Sequence, residues 1–323
     1  MRCSNTTRLR GKTLSHIGSP AARWSIGLVL HLLVAMLMFL SAVATSDVLE
    51  GGTLMFLHVW KCGGTSLRRL LCDWAKSEGL PCATVASCRH LSLKERKICL
   101  VNHKLIFPEV QEDFIVKQSV IAGHFQWGFQ SYARQPHFMI TTLRNPLELY
   151  VSGEMYLNRK ETKTLPSATQ FVSESMRKSL LVRTKMPGYT HRFVGRNVMT
   201  EAEIREATVE GSYNMRSFWL VGVMEQYEGF IAVVQHLVDP SNRYVTLWNK
   251  HLRSKLNASP VHATNVLASI DPRVVEQFNR TLSYQWLLYG KAVQLFTDRC
   301  QEVLPEWKQA GLCPVPTPPS EYY

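Results

Sequence analysis

No acidic residue precedes Asp47 in this 323-residue chain, whereas Arg2, Arg8, Arg10, Lys12 and Arg23 all do, so five of its formal +12 charges lie in one terminal stretch. The remainder is moderately basic, which suits an anionic ligand without pointing to nucleic acid, and no nucleic-acid partner is expected. Internal repeats are lacking, which excludes a solenoid. No grouping of His, Cys, Asp and Glu has metal-ligand spacing, so no metal is expected. The glycine-rich loop lacks a following Gly-Lys-Ser/Thr, which excludes a Walker A site. The length that is present allows one large domain, or two, with a substantial core.

Charge is absent again across SIGLVLHLLVAMLMFLSAVA, residues 25–44, and these twenty residues suffice to cross a bilayer as a helix. The basic flank lies before this run, with Asp47 and Glu50 after it. The positive-inside rule then predicts a cytosolic basic tail over 1–24, a signal-anchor transmembrane helix over 25–45 and a short stem over 46–52. A lumenal domain over 53–313 and a Pro-rich tail over 314–323 follow. The competing reading is secretion after cleavage near Ala44, because Ala42-Val43-Ala44 fits an A-x-A site. Both readings put the body in an oxidising compartment, and cysteine usage agrees. Beyond Cys3 there are seven cysteines, an odd number. Cys62 is the expected free thiol, since a disulfide would strain its glycine turn, and Cys300 with Cys313 is the expected local pair among the other six. Asn257-Ala258-Ser259 and Asn279-Arg280-Thr281 are glycosylation acceptor sequences.

Hydrophobic patterning predicts a buried strand over 53–60 and a helix over 65–78, with Leu67, Leu70, Leu71 and Trp74 on one face and Gly79 at its end. Residues 80–116 read as an irregular excursion holding three cysteines. Strands are expected over 119–125, 137–144, 218–224 and 243–248. Helices are expected from the Asn145 cap and Pro146 to Leu157, near 167–183, over 225–238, and as a pair near 272–299. Alternating strands and helices predict an α/β fold, a P-loop-like, mostly parallel sheet flanked by helices and preceded by one transmembrane helix, with its ligand at the strands' carboxyl ends.

HVWKCGGTSLRRLL, residues 58–71, places a glycine turn between the first strand and helix. Such a turn aims backbone N–H groups at an anion, and the helix dipole adds partial positive charge. Gly63 and Gly64 allow close approach, Lys61 brings a full charge, and the Thr65 and Ser66 hydroxyls can donate. The plain alternative is an ordinary strand-helix turn. A sharper one is Cys62-x5-Arg68, the spacing of cysteine phosphatases, in which a thiolate attacks phosphorus and an arginine clamps the oxyanion. A lysine where those enzymes carry histidine, a bulky Leu67 and an oxidising compartment all oppose it.

A second segment, ITTLRNPLELYVSGEMY at 140–156, puts Arg144 at a strand end and Ser152 eight residues on, in the following helix. Together the two segments resemble the Golgi carbohydrate sulfotransferases, the family of heparan sulfate 2-O- and 6-O- and chondroitin-type enzymes. The resemblance implies that Lys61, Cys62, Gly63, Gly64, Thr65 and Ser66 form a 5′-phosphosulfate loop. It implies that Arg144 and Ser152 form a 3′-phosphate site, both gripping 3′-phosphoadenosine 5′-phosphosulfate (PAPS). VIAGHFQWG (120–128), GYTHRFVGR (188–196) and FWLVGVMEQYEGFIAVV (218–234) resemble further family segments, and FNRTLSYQWLLYGKAVQLF (278–296) has the spacing of the closing helix. Cys62 stands where the family has threonine, Asn145 where it has aspartate, and Leu149 where a second arginine is common.

The implied activity is transfer of a sulfuryl group from PAPS to a hydroxyl of a glycan, which is also the implied partner, in a Golgi membrane protein of type II. Lys61 would stabilise charge on the leaving phosphate. His124, after a glycine at a strand end, is the expected general base, with Glu154 in reserve and His58 as a structural residue. Arg192 and Arg196 are the expected acceptor contacts. A glycan- or nucleotide-binding relative without catalysis is the remaining alternative.

Overall fold

The computed structural model describes residues 49, 51–87, 97–101, 104–105, 108–182, 189–198, 200–253 and 261–313. The proposed membrane span, stem start, Pro-rich tail and Asn257 sequon lie outside these residues. Among the described residues no helix is long and apolar enough to cross a membrane.

TLMFL is wholly apolar apart from its threonine, and it forms the fully buried strand β1 (Thr53–Leu57). It runs into helix α1 (Gly64–Ser77), whose Leu67, Leu70, Leu71 and Trp74 are all buried, as their spacing requires. Glu78 caps that helix and Gly79 turns out of it at φ 72°. The chain continues through β2 (Cys82–Ser87), β3 (Lys97–Val101), β4 (Lys104–Leu105) and α2 (Pro108–Val116). Next come β5 (Val120–Gly123), β6 (His137–Leu143), α3 (Pro146–Leu157), α4 (Leu165–Val182), α5 (Thr190–Val194) and α6 (Glu201–Met215). The rest is β7 (Leu220–Val223), α7 (Tyr227–Val238), α8 (Val245–Arg253), α9 (Ala263–Ala268), α10 (Pro272–Arg280), α11 (Ser283–Val303) and α12 (Glu306–Leu312).

Strand order is β4-β3-β2-β5-β1-β6-β7. The five strands β2-β5-β1-β6-β7 are all parallel, β3 extends them in parallel, and β4 adds an antiparallel edge. Helices flank this sheet, so the fold is α/β. From β1 the chain leaves toward β2 and from β6 it leaves toward β7. The connections therefore diverge at the carboxyl ends of neighbouring strands, which is where an open parallel sheet offers a ligand crevice. A second apolar cluster joins α3, α4 and α10 through Val151, Val172, Met176 and Phe278.

Two disulfides, Cys72 with Cys82 and Cys300 with Cys313, indicate an oxidising compartment, lumenal or secreted, and Cys62 is a buried free thiol.

Several expectations need correction. The described residues within 80–116, expected to be irregular, carry three strands and a helix. The segments CATVAS and KICLV are short, and sheet pairing rather than local pattern makes them strands: the first pairs with β5 and the second with the first. The first strand stops at Leu57 because the chain turns at once, with Cys62 N–H donating to the Val59 carbonyl at 3.3 Å and Lys61 at φ 62°. Residues 243–248 begin a helix, not a strand. Buried Asp239 dictates this by accepting from the backbone N–H groups of Arg243 and Tyr244, each at 2.9 Å, and from Trp248 Nε1 at 3.2 Å. The turn so formed seats the fully buried Trp248 in the core. Helices α5, α6, α9 and α12 also escaped the sequence reading.

Asp239→Ala removes a charged acceptor from three buried or partly buried donors. It should lower unfolding free energy by about 3 kcal/mol or more, read as a reduced urea midpoint at constant slope.

Candidate functional site

The carboxyl ends of β1, β5, β6 and β7 bring His58 to Ser66, His124, Arg144 and Glu225 to one edge of the sheet. Side chains on β6 tie this edge together, with Thr141 Oγ1 donating to the Leu57 carbonyl at 2.8 Å and Thr142 Oγ1 to the Cys62 carbonyl at 2.7 Å.

The loop after β1 reaches α1 through two left-handed residues, Lys61 at φ 62° and Gly63 at φ 70°. Gly63 is the N-cap and no side chain caps the helix. The N–H groups of its first turn have no intrahelical acceptor, so they face the crevice with the positive end of the dipole. The two glycines are required by the protein itself. A β-carbon at Gly63 would lie 2.4 Å from Met224 Sδ, and one at Gly64 would fall 1.8 Å from the His58 ring. Thr65 is exposed and Ser66 partly so, leaving both hydroxyls open to a ligand.

Lys61 is half-buried and its Nζ lies 4.3 Å from the centre of the Tyr156 ring on α3. Desolvation and then the Arg144 charge push its pKa down. Cys62 is fully buried, and desolvation foremost raises its thiol pKa, so it carries no thiolate near neutral pH.

Arg144 and Ser152 are set by α3, which begins as its sequence dictates: Asn145 Oδ1 accepts from the N–H groups of Leu147 and Glu148, and Pro146 follows the cap. Arg144 donates to Glu148 Oε2 through Nη2 at 2.8 Å and Nε at 3.2 Å, leaving Nη1 for another anion. Glu148, Ser152 and Tyr156 recur at four-residue steps and so share one stripe of α3, beside Lys61 and Arg144. Glu154 lies off that stripe and accepts from Ser175 on α4 at 3.0 Å.

His124 stacks on His58 with ring centres 4.1 Å apart. Its Nδ1 is 2.9 Å from the His58 carbonyl, an acceptor only, so Nδ1 carries the hydrogen and Nε2 the lone pair. Desolvation lowers the pKa of His124, the bond to His58 opposes this, and Arg192 and Arg68 lower it further, keeping Nε2 unprotonated at neutral pH. His58 lies just past β1 instead of inside it, as anticipated, and its buried Nδ1 has no partner. Burial, then the neighbouring His124, Arg68 and Arg192, holds its pKa near about 2 against 6.5.

Arg192 on α5 joins this histidine pair, with Nη1 donating to the Phe125 carbonyl at 3.4 Å and its pKa lowered by burial. Arg196 does not: it is half-exposed and bound to Glu210 at 2.7 Å. Sequence reasoning missed Glu148 and Glu225. The i,i+4 spacing from Arg144 was a signal for Glu148. Glu225 accepts from the Asn145 N–H and from Tyr289 Oη, both at 2.8 Å, and so anchors the turn that carries Arg144. Only tertiary structure brings α11 and its Tyr289 to that carboxylate.

The fold and this edge define an α/β protein with a five-strand parallel core sheet flanked by helices and a crevice at its switch point beside Lys61 and Arg144. Neither a protein-family model nor a curated protein sequence matches the chain. Among the described residues no group of three or more His, Cys, Asp or Glu could hold a metal ion.

The unfolded chain accepts a proton on His58 near pH 6.5, whereas the folded chain resists it down to about 2. Stability from this group is therefore complete above pH 6.5 and is lost progressively as pH falls below that value, and His124 shifts in the same sense. Melting temperature should fall between pH 7 and 4.5, and His58→Phe, which keeps the ring, should flatten that slope. Parallel slopes in the two proteins would contradict the assignment.

Proposed function

We propose that the protein is a PAPS-dependent sulfotransferase whose acceptor is a glycan hydroxyl, working in the lumen of the secretory pathway. The observation that carries this reading is the pairing, across neighbouring strands, of two elements that offer donors to an anion. One is the uncapped α1 N-terminus with Lys61, and the other is Arg144 with Ser152. Two such elements at one switch point suit a bis-phosphorylated nucleotide better than a single anion. The loop resembles the 5′-phosphosulfate loop of the Golgi enzymes except for Cys62 in place of their threonine, and Asn145 still caps its helix in place of their aspartate.

When bound, the donor supplies an electrophilic sulfur: its bond to the 5′-phosphate oxygen breaks as the acceptor oxygen bonds to it. In this reading the N–H groups of Gly63 to Ser66 and the Lys61 ammonium hold the 5′-phosphate and offset the charge it gains. Arg144 Nη1 and the Ser152 hydroxyl hold the 3′-phosphate. His124 Nε2 takes the acceptor proton, and the depressed pKa keeps it available as a base. Arg192, beside the histidines, faces the acceptor side, while Arg196 would have to leave Glu210 to contribute. The buried, protonated Cys62 counts against a cysteine phosphatase.

The domain should transfer label from radioactive PAPS to at least one member of a panel of desulfated glycans. His124→Ala should lower kcat by about 10²- to 10⁴-fold with donor affinity kept, whereas Cys62→Ala should retain most activity. Intact donor binding with no transfer to any acceptor would leave a nucleotide-binding protein and end the enzyme reading.

A further inference from the structure

Trp60 and Tyr156 are two large aromatic side chains left substantially in water, at 37% and 50% exposure, immediately beside Lys61. Their rings meet edge to face, 5.7 Å apart at 80°, forming a corner. The corner is built into the fold. A β-carbon at Gly153 would lie 2.9 Å from Trp60 Cζ3, so the indole rests directly on the backbone of α3. A glycine inside a helix costs about 0.5–1 kcal/mol relative to alanine, and here its benefit is a seat for an exposed indole. The chain geometry also fixes the corner, because Trp60 precedes the left-handed Lys61 and Tyr156 stands one turn beyond Ser152.

We propose that Trp60 and Tyr156 form a subsite that stacks one ring of a saccharide beside the Lys61 ammonium; as an acceptor subsite it rests on the transferase reading above. Sugar rings present C–H bonds from one face to an aromatic surface while their hydroxyls remain free at the rim. The Lys61 ammonium already occupies the Tyr156 ring, so the indole supplies the open surface, and hydroxyls of a stacked sugar meet a cation at its edge. The occupant is argued from continuity: the corner adjoins the loop at Lys61 and the α3 stripe at Ser152, so a ring held there lies against the reacting edge.

The test is equilibrium binding without turnover. Unsulfated heparosan and chondroitin oligosaccharides, and separately adenosine 3′,5′-bisphosphate, are titrated into the wild-type protein and into Trp60→Ala and Trp60→Phe. Trp60→Ala should weaken oligosaccharide binding by about tenfold, Trp60→Phe should restore most of it, and bisphosphate affinity should stay within about twofold. Unchanged saccharide affinity, no saccharide binding by the wild type, or a loss confined to the bisphosphate would each overturn the subsite. Saccharide binding that depends on Trp60 in a protein that transfers no sulfate would end the transferase reading and leave the subsite standing. Transfer with undiminished saccharide affinity in Trp60→Ala would do the reverse.

Discussion

The imidazole of His58 lies against the backbone of Gly64, so closely that a β-carbon there would be 1.8 Å from the ring. That contact sets where α1 begins and therefore where its uncapped N–H groups point. The same residue's N–H donates to the Gly123 carbonyl at 2.8 Å, and its carbonyl accepts from His124 Nδ1 at 2.9 Å. One residue thus joins the end of β1 to the end of β5, orients the helix terminus and fixes which nitrogen of His124 is free. Burial holds the ring neutral, so the contact adds no charge to a crevice that already contains Lys61, Arg144 and Arg192.

Cations this close must be managed. Lys61 rests on an aromatic face, and Arg144 is held by Glu148, whose carboxylate shares its stripe of α3 with Ser152. Glu225 holds the adjoining turn from the far side through Asn145 and Tyr289. These partners pre-position the charges, so the cationic groups are held oriented instead of mobile. The disulfides lie away from this edge: one links α1 to β2, and the other links α11 to the residue after α12. They reinforce the frame and leave the buried Cys62 as a small spacer in the loop.

Local pattern made much of this readable from sequence. The α1 face, the Asn145-Pro146 start of α3 and the Cys300–Cys313 pair all follow from neighbours within a few turns. The strands at 82–105 were missed because they are short and only β2 is tied to the central sheet, through β5 some way along the chain, and 243–248 was misread because a β-branched, aromatic run is overruled by the Asp239 turn. At the site, the glycine turn marked Lys61, whereas the resemblance to the sulfotransferases singled out Arg144, Ser152 and His124. The reasons for Gly63 and Gly64 could not be read in advance, since Met224 and His58 reach them only in three dimensions. The separation of Arg192 from Arg196 depends likewise on Glu210, which α6 brings in.

The central claim is that the α1 terminus and the Arg144–Ser152 element act as the two ends of one nucleotide site. Calorimetric titration of adenosine 3′,5′-bisphosphate against adenosine 5′-monophosphate, at one fixed salt concentration, tests it directly. The bisphosphate should bind at least about tenfold more tightly, a difference of roughly 1.4 kcal/mol, and Arg144→Ala should erase most of that gap while leaving monophosphate affinity nearly unchanged. Equal affinity for the two nucleotides in the wild-type protein would contradict the account.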